Sequence, residues 1–308
     1  KASMMGMNVG NGGDFESSGE KYAMGYVKNL LKNIDKPVLF DVGANRGDYA
    51  KELVKNYRNA EIHCFEPAAE TFKILCSQVK SDKVIMNNFG MSDTCTESIL
   101  YYDAECDGLA SMYKRQCVEH AEPIRIKLDT VDHYCEERNI PRINLLKIDI
   151  EGNDIIALQT MEKVSEKPLY ISVETECIGE DEDIAGHELD TLNALYQLGY
   201  RKFKLVDQRT LTVLDYNCFY KNNSEHNWFE QIETNCKYAE ELIVLSDTDQ
   251  RVKFTDFFPG SSGPFGEELA GKWYDYPQAK EMLKKHREDK MRLNEQAWTF
   301  WCDWHATF

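Results

Sequence analysis

The chain has 308 residues, 36 basic against 53 acidic side chains and a formal net charge of −17. Its length suffices for a sizeable core in one large or two modest domains, and 42% hydrophobic with 29% charged residues is a globular composition, not a disordered one. The acidity argues against a protein whose main task is gripping nucleic-acid phosphates, and no window holds the roughly 18 consecutive apolar residues of a membrane span.

Residues 1–19 are rich in glycine, serine and asparagine and read as an extended arm. No signal-peptide pattern opens the sequence. Tyr22, Met24, Val27, Leu30 and Leu31 then recur at helical spacing, which predicts a helix over Glu20–Asn33. From Lys36 strand and helix alternate. Val38–Val42 is a short apolar run that ends in a glycine-rich turn, and Tyr49, Leu53, Val54 and Tyr57 follow at helical spacing. Glu61–Phe65 reads as a second strand, Ala69–Val79 as a helix and Val84–Met86 as a third strand. Further strands are predicted at Asn144–Ile150 and Leu169–Val173, with a helix over Asp154–Glu162 between them. His187–Leu198 is a helix stopped by Gly199. Arg201–Val206 is a sixth strand, and Thr210–Tyr216 can pair with it antiparallel. Repeated β-α-β units with continuous apolar strands mean a parallel sheet covered on both faces.

The stretch 94–143 interrupts this alternation. Ser98–Tyr102 and Ile124–Leu128 look like strands and Thr130–Arg138 like a short helix, which together make an inserted hairpin or lid beside the sheet. Segment 222–308 is rich in tryptophan, phenylalanine and charge and reads as an extension packed on the core. Pro277 suits the first turn of a helix running to about Met291. The i, i+3, i+6 spacing of Trp298, Trp301 and Trp304 predicts one helical stripe against the core. Ten cysteines without a Cys-x-x-Cys pair, in a chain too large to need staples, point to free thiols and a reducing, cytoplasmic setting. Their spacing offers no zinc motif, so no metal ligand is expected.

The sharpest local feature is Phe40-Asp41-Val42-Gly43-Ala44-Asn45-Arg46-Gly47-Asp48, between a strand and a helix. Glycines there let backbone amides approach a ligand at a helix start. The pattern is Asp-x-Gly-x-x-x-Gly, not the Gly-x-Gly-x-x-Gly of a dinucleotide site. Asp41 suits a ligand with a cationic amino group. Glu66 closes the second strand, where an acid can accept both hydroxyls of a ribose. Loop and acid together describe an adenosine ligand without phosphates, which fits S-adenosylmethionine. Arg46 is expected to point to solvent.

Lys147-Ile148-Asp149-Ile150-Glu151-Gly152 ends the fourth strand, and Glu174-Thr175-Glu176 ends the fifth. In an open α/β sheet ligands bind beyond these strand ends. Period-2 spacing would aim Asp149 and Glu151 the same way. Carboxylates so placed repel, which favours a general-base role for one of them. A magnesium site built from them is possible, although no pattern demands it. His187, at a helix start where the dipole favours the neutral imidazole, is another candidate base. Tyr101, Tyr102 and Tyr113 could wall a sugar face, although sheet packing is the commoner use of such residues. His63 reads as a core or lid-contacting residue and His133 as structural.

The blocks Val38–Gly47, Phe65-Glu66-Pro67, Leu128-Asp129-Thr130-Val131-Asp132 and Leu145–Gly152, in this order and spacing, resemble the FkbM-type methyltransferases over roughly residues 18–206. The resemblance implies a class I, Rossmann-like α/β fold with a mostly parallel seven-stranded sheet and helices on both faces. It also implies S-adenosylmethionine-dependent methyl transfer to a hydroxyl of a sugar, glycan or small secondary metabolite. By position, Asp41, Gly43, Ala44, Asn45 and Gly47 would line the methionine end of the donor, Glu66 with Pro67 the ribose, and Ser92 and Asp93 the adenine. Asp149 and Glu151 would face the acceptor, and Glu174 and His187 are the further candidate catalytic residues. The expected division is an arm and helix over 1–35, the methyltransferase domain over 36–221 and the extension over 222–308. A nicotinamide oxidoreductase and a non-catalytic nucleoside-binding module are the alternatives. The missing Gly-x-Gly-x-x-Gly weighs against the first, and the intact acidic set against the second.

Overall fold

The computed structural model describes residues 30–114, 118–175, 187–207, 212–213, 273–292 and 302–308. The expected arm, the loop 176–186 and most of segment 214–301 lie outside the described residues. Of the first predicted helix only residues 30–33 are described: Leu30 and Leu31 are helical, and Lys32 and Asn33 form a turn.

The chain runs β1 (Val38–Val42), α1 (Asp48–Asn56), β2 (Glu61–Phe65), α2 (Ala69–Gln78), β3 (Val84–Asn87), β4 (Gly90–Met91), β5 (Thr96–Tyr102), β6 (Glu122–Asp129) and α3 (Val131–Arg138). It continues through β7 (Leu145–Ile148), α4 (Asp154–Gln159), β8 (Tyr170–Thr175), α5 (His187–Gln197), β9 (Lys202–Asp207), β10 (Thr212–Val213), α6 (Tyr276–Arg292) and β11 (Cys302–Thr307). The main sheet has the order β10-β9-β11-β8-β7-β1-β2-β3, eight strands where seven were expected. The additional one is β11, from the segment read as an extension, whereas Thr212–Val213 of the expected Thr210–Tyr216 strand pair antiparallel with β9 as read. Pairs β3–β2, β2–β1, β1–β7 and β7–β8 are parallel, and β11 runs antiparallel to both of its neighbours.

Side chains alternate across this sheet. Phe40, Val42, Phe65, Leu146 and Ile148 pack with α3, α4, α5 and α6 on one face. Leu39, Ile62, Cys64 and Leu145 pack with α1 and α2 on the other. His63 is a core residue, as read: buried, with Nδ1 2.8 Å from the Tyr134 hydroxyl and Nε2 3.1 Å from Glu61 Oε1. The inserted hairpin is β5 antiparallel to β6, joined by β4 into a separate three-stranded sheet. Thr130 caps α3 by accepting the backbone N–H of His133 at 3.2 Å. Gly199, at φ +105°, stops α5.

Trp304 does not belong to a helical stripe. It lies in β11, wholly buried between β8 and β9, and Trp298 and Trp301 lie outside the described residues. A strand covered on both faces shows no alternation: Trp304, His305 and Ala306 are buried in succession, so their spacing carries no strand signal. The segment read as an extension therefore includes a strand from the interior of the sheet. Cys64, Cys76, Cys95 and Cys135 are free thiols. Among the described residues no helix is long and apolar enough to cross a membrane.

Candidate active site

The carboxyl ends of β1, β2, β7 and β8 converge on one region of the molecule. Asp41, one residue before the end of β1, sits on the α1 side of the sheet by alternation from Phe40 and Val42. The β1–β7 register sets Lys147 directly beside it on the same face. The Lys147 Nζ lies 3.5 Å from Asp41 Oδ1, 3.3 Å from Asp149 Oδ2 and 5.4 Å from the centre of the Tyr49 ring. Asp41 is fully buried, and neither of its carboxylate oxygens makes a hydrogen bond. Burial pushes its pKa up, partly offset by Lys147.

The glycine loop is built differently from the expectation. Gly43 and Gly47 have φ +86° and +90°, and Asn45 between them is also left-handed at φ +45°. A Cβ on Gly43 would lie 1.8 Å from the Asp149 backbone oxygen, and one on Gly47 would lie 2.6 Å from both Leu75 Cδ1 and Val79 Cγ2. These glycines admit the protein's own backbone and the α2 side chains, so close packing within the chain is enough to require them. The loop is fastened to β2: the amides of Gly43 and Ala44 both donate to the Phe65 carbonyl. Arg46 is not directed to solvent alone. Its Nε donates to Asp107 Oδ2 at 2.8 Å, and a second nitrogen donates to the Ala104 carbonyl, which ties the loop to the insertion.

Glu66 follows β2 and is buried at 7% exposure. Its Oε2 accepts the Asn45 amide at 3.1 Å and its Oε1 the Ala68 amide at 2.8 Å. Each oxygen keeps a further acceptor direction. Burial, opposed by these two amides, pushes the carboxyl up to about 7. Pro67 follows it, against the position a Gly90 side chain would take. Ser92 is buried, its amide on the Asp129 carbonyl at 2.8 Å, and Asp93 is exposed and accepts from Ser92 Oγ at 3.3 Å.

On the other side, Asp149, Glu151 and Glu174 bring one carboxylate oxygen each within 4.8 Å of one another. Strand alternation is not what gathers them. β7 ends at Ile148, and Glu151 turns left-handed at φ +57° ahead of Gly152 at +104°. The turn is held by Asp154, whose two oxygens accept the amides of Ile150 at 2.8 Å and Gly152 at 2.9 Å. Ser111 of the insertion donates to the Glu151 carbonyl at 2.8 Å. The third acid, Glu174, is buried near the end of β8. His187 opens α5, and its side chain lies outside the description. Tyr102 is bound to the body of the domain, accepting from Thr71 Oγ1 at 3.2 Å, and Tyr113 stays exposed.

Lys147 is the residue that reading by motif passed over. Its signal was present: one lysine in the apolar strand Leu145-Leu146-Lys147-Ile148, two residues before an acid. It bridges the two halves of the site, with Asp41 on one side and Asp149 on the other.

A profile of the methyltransferase FkbM domain matches residues 41–202. The 2-O-methyltransferase NoeI of Sinorhizobium fredii is 25% identical over 149 residues, which are 42% of this chain and 60% of that protein. The match thus spans less than two thirds of that relative's length. Among solved structures, an S-adenosylmethionine-dependent methyltransferase from Archaeoglobus fulgidus is 9% identical with a TM-score of 0.38, covering 92% of both chains. Phosphoethanolamine N-methyltransferase 2 of Haemonchus contortus is 10% identical with a TM-score of 0.36, covering 92% of this chain and 51% of that one. The profile takes in the end of β1, the glycine loop, Glu66, the insertion, the acids after β7 and Glu174 of β8, and with more than half of the sequence inside it the chain belongs to the FkbM methyltransferase family.

Proposed function

We propose that the chain transfers a methyl group from S-adenosylmethionine to a hydroxyl of a sugar, glycan or small secondary metabolite. The observation that carries this reading is Asp41, a buried carboxylate near the end of β1 whose cation, Lys147 at 3.5 Å, is shared with Asp149 at 3.3 Å. One ammonium between two acids leaves a surplus negative charge at a buried position, and a second ammonium brought to Asp41 would balance it. The donor carries such an ammonium on its methionine end. Asp41 would take it, with Gly43, Ala44, Asn45 and Gly47 forming the loop around it. Glu66, beside Pro67, would take ribose hydroxyls on its remaining lone pairs, and Ser92 and Asp93 would flank the base.

When bound, the donor supplies a methyl group already activated on a sulfonium. The chain's own work is then positioning and proton removal. Asp149 would accept the proton of the acceptor hydroxyl, with Lys147 at 3.3 Å fixing its carboxylate. Glu151 and Glu174 would orient the acceptor beside it, and His187 is the other candidate for the proton. The name of the Sinorhizobium relative, a 2-O-methyltransferase, agrees with oxygen as the atom methylated.

Calorimetry with S-adenosylhomocysteine against NAD tests the donor half, and only the first should bind. Asp41→Ala should abolish that binding. Asp149→Asn should leave it intact and slow transfer into a hydroxylated extract by about 10²–10⁴-fold. Equal loss of donor binding in both variants would overturn the division of the site.

A further inference from the structure

A second cluster of metal-ligating side chains lies outside the acidic site. Cys95 comes from the turn between β4 and β5, Asp129 from the end of β6 and His133 from the first turn of α3. Their donor atoms all lie within 4.8 Å of one another. One oxygen holds the group together. Asp129 Oδ1 accepts from Cys95 Sγ at 2.9 Å, from the Thr130 amide at 2.7 Å and is 2.7 Å from His133 Nδ1. Three donors on one oxygen is a crowded arrangement. Two of the three, the thiol and the imidazole, can give up the proton they point with and become ligands themselves.

We propose that Cys95, Asp129 and His133 form a binding site for a single Zn²⁺ ion, with an open fourth position for water. The ligand chemistry selects this ion. One thiolate, one imidazole and one carboxylate suit a borderline-soft dication and are a poor set for calcium or magnesium, which prefer oxygen throughout. The thiolate and the carboxylate neutralise the two positive charges. The far ring nitrogen of the histidine has an acid nearby: Nε2 lies 4.0 Å from Glu137 Oε1, within a side-chain rotation of the hydrogen bond that supports a zinc-bound imidazole. Cys95 and His133 are exposed, so an ion reaches them without opening the fold. The three ligands stand 34 and 4 residues apart, a spacing that no short motif covers. Asp129 also holds the Ser92 amide on its carbonyl, so an ion there would fasten the turn 92–95 to α3.

The test is zinc titration of the whole chain against a chromophoric chelator, together with Co²⁺ substitution read by its thiolate charge-transfer absorption. The expected result is one ion per chain and a thiolate band in the cobalt form. Cys95→Ala and His133→Ala should each weaken binding by about 100-fold or more, and Glu137→Gln by about 10-fold. Cys76→Ala, a thiol away from the cluster, should bind as the parent does. All these changes lie on exposed or half-exposed side chains, and thermal unfolding without metal verifies that each variant is folded. Unchanged affinity in Cys95→Ala, or a cobalt spectrum without a thiolate band, overturns the proposal.

Discussion

At the scale of single residues, the site depends on acids kept in a state that water would not allow them. Glu66 is the plainest case. Its carboxyl, pushed up to about 7 by burial, is partly protonated at neutral pH. Ribose hydroxyls donate hydrogen bonds, and a carboxylate accepts them better than a carboxylic acid does. Donor binding should therefore release a proton and tighten as pH rises through about 7. The ionised fraction grows from roughly a tenth at about pH 6 to roughly nine tenths at about pH 8, so S-adenosylhomocysteine affinity should improve by up to about tenfold. Calorimetry in buffers of different ionisation enthalpy measures both effects, and a flat affinity with no proton release would refute the ribose role. In the unliganded chain the sign is opposite. The folded state holds a proton that the unfolded state gives up near its ordinary value of 4.5, so this group's contribution to stability is full below that pH and is lost as pH rises through about 7. Asp41 and Glu66 were legible in the sequence because each closes an apolar strand. The unsatisfied state of Asp41 was not, since it follows from what β7 and α1 place around it.

At the scale of elements, the glycine loop and the turn after β7 are two halves of one joint. The loop can lie against Asp149 only because residue 43 has no Cβ, and the turn can hold Asp149 there only because Asp154 binds the amides behind it. Gly43→Ala should accordingly cost about 3 kcal/mol or more, from the left-handed backbone and the collision with a backbone oxygen together. In a domain of this size that is a fall in melting temperature of roughly 6–12 °C, readable by calorimetry. A fall under about 2 °C would mean that the loop relaxes away from β7. The sequence showed the glycines, and local reasoning assigned their freedom to a ligand. Their neighbours are residues far along the chain, Asp149 for one and Leu75 with Val79 for the other, which no local pattern reveals. Glu151 is similar. Alternation predicted that it would share a side with Asp149; it does lie near it, by way of a left-handed turn that ends the strand early.

At the scale of the whole molecule, the alternation of strands and helices up to β9 could be read directly, because each apolar run is long enough to carry its period. The completion of the sheet could not, because β11 is covered on both sides and is separated from β9 by residues 208–301. Removing 302–308 would strip β8 and β9 of a shared neighbour and delete Trp304, a fully buried side chain whose truncation alone costs about 3–5 kcal/mol. The shortened chain should therefore lose its cooperative urea transition, followed by circular dichroism.

The position of β11 also sets the timing of synthesis. β8 and β9 leave the ribosome with a gap between them that only a much later segment can fill. At about 5–20 residues per second that gap stays open for roughly 5–20 s. Throughout it the nascent chain offers two unpaired strand edges to any other extended peptide nearby. Yield in a cell should then depend on what shields those edges, a holding chaperone or a low translation load, as much as on the stability of the finished sheet.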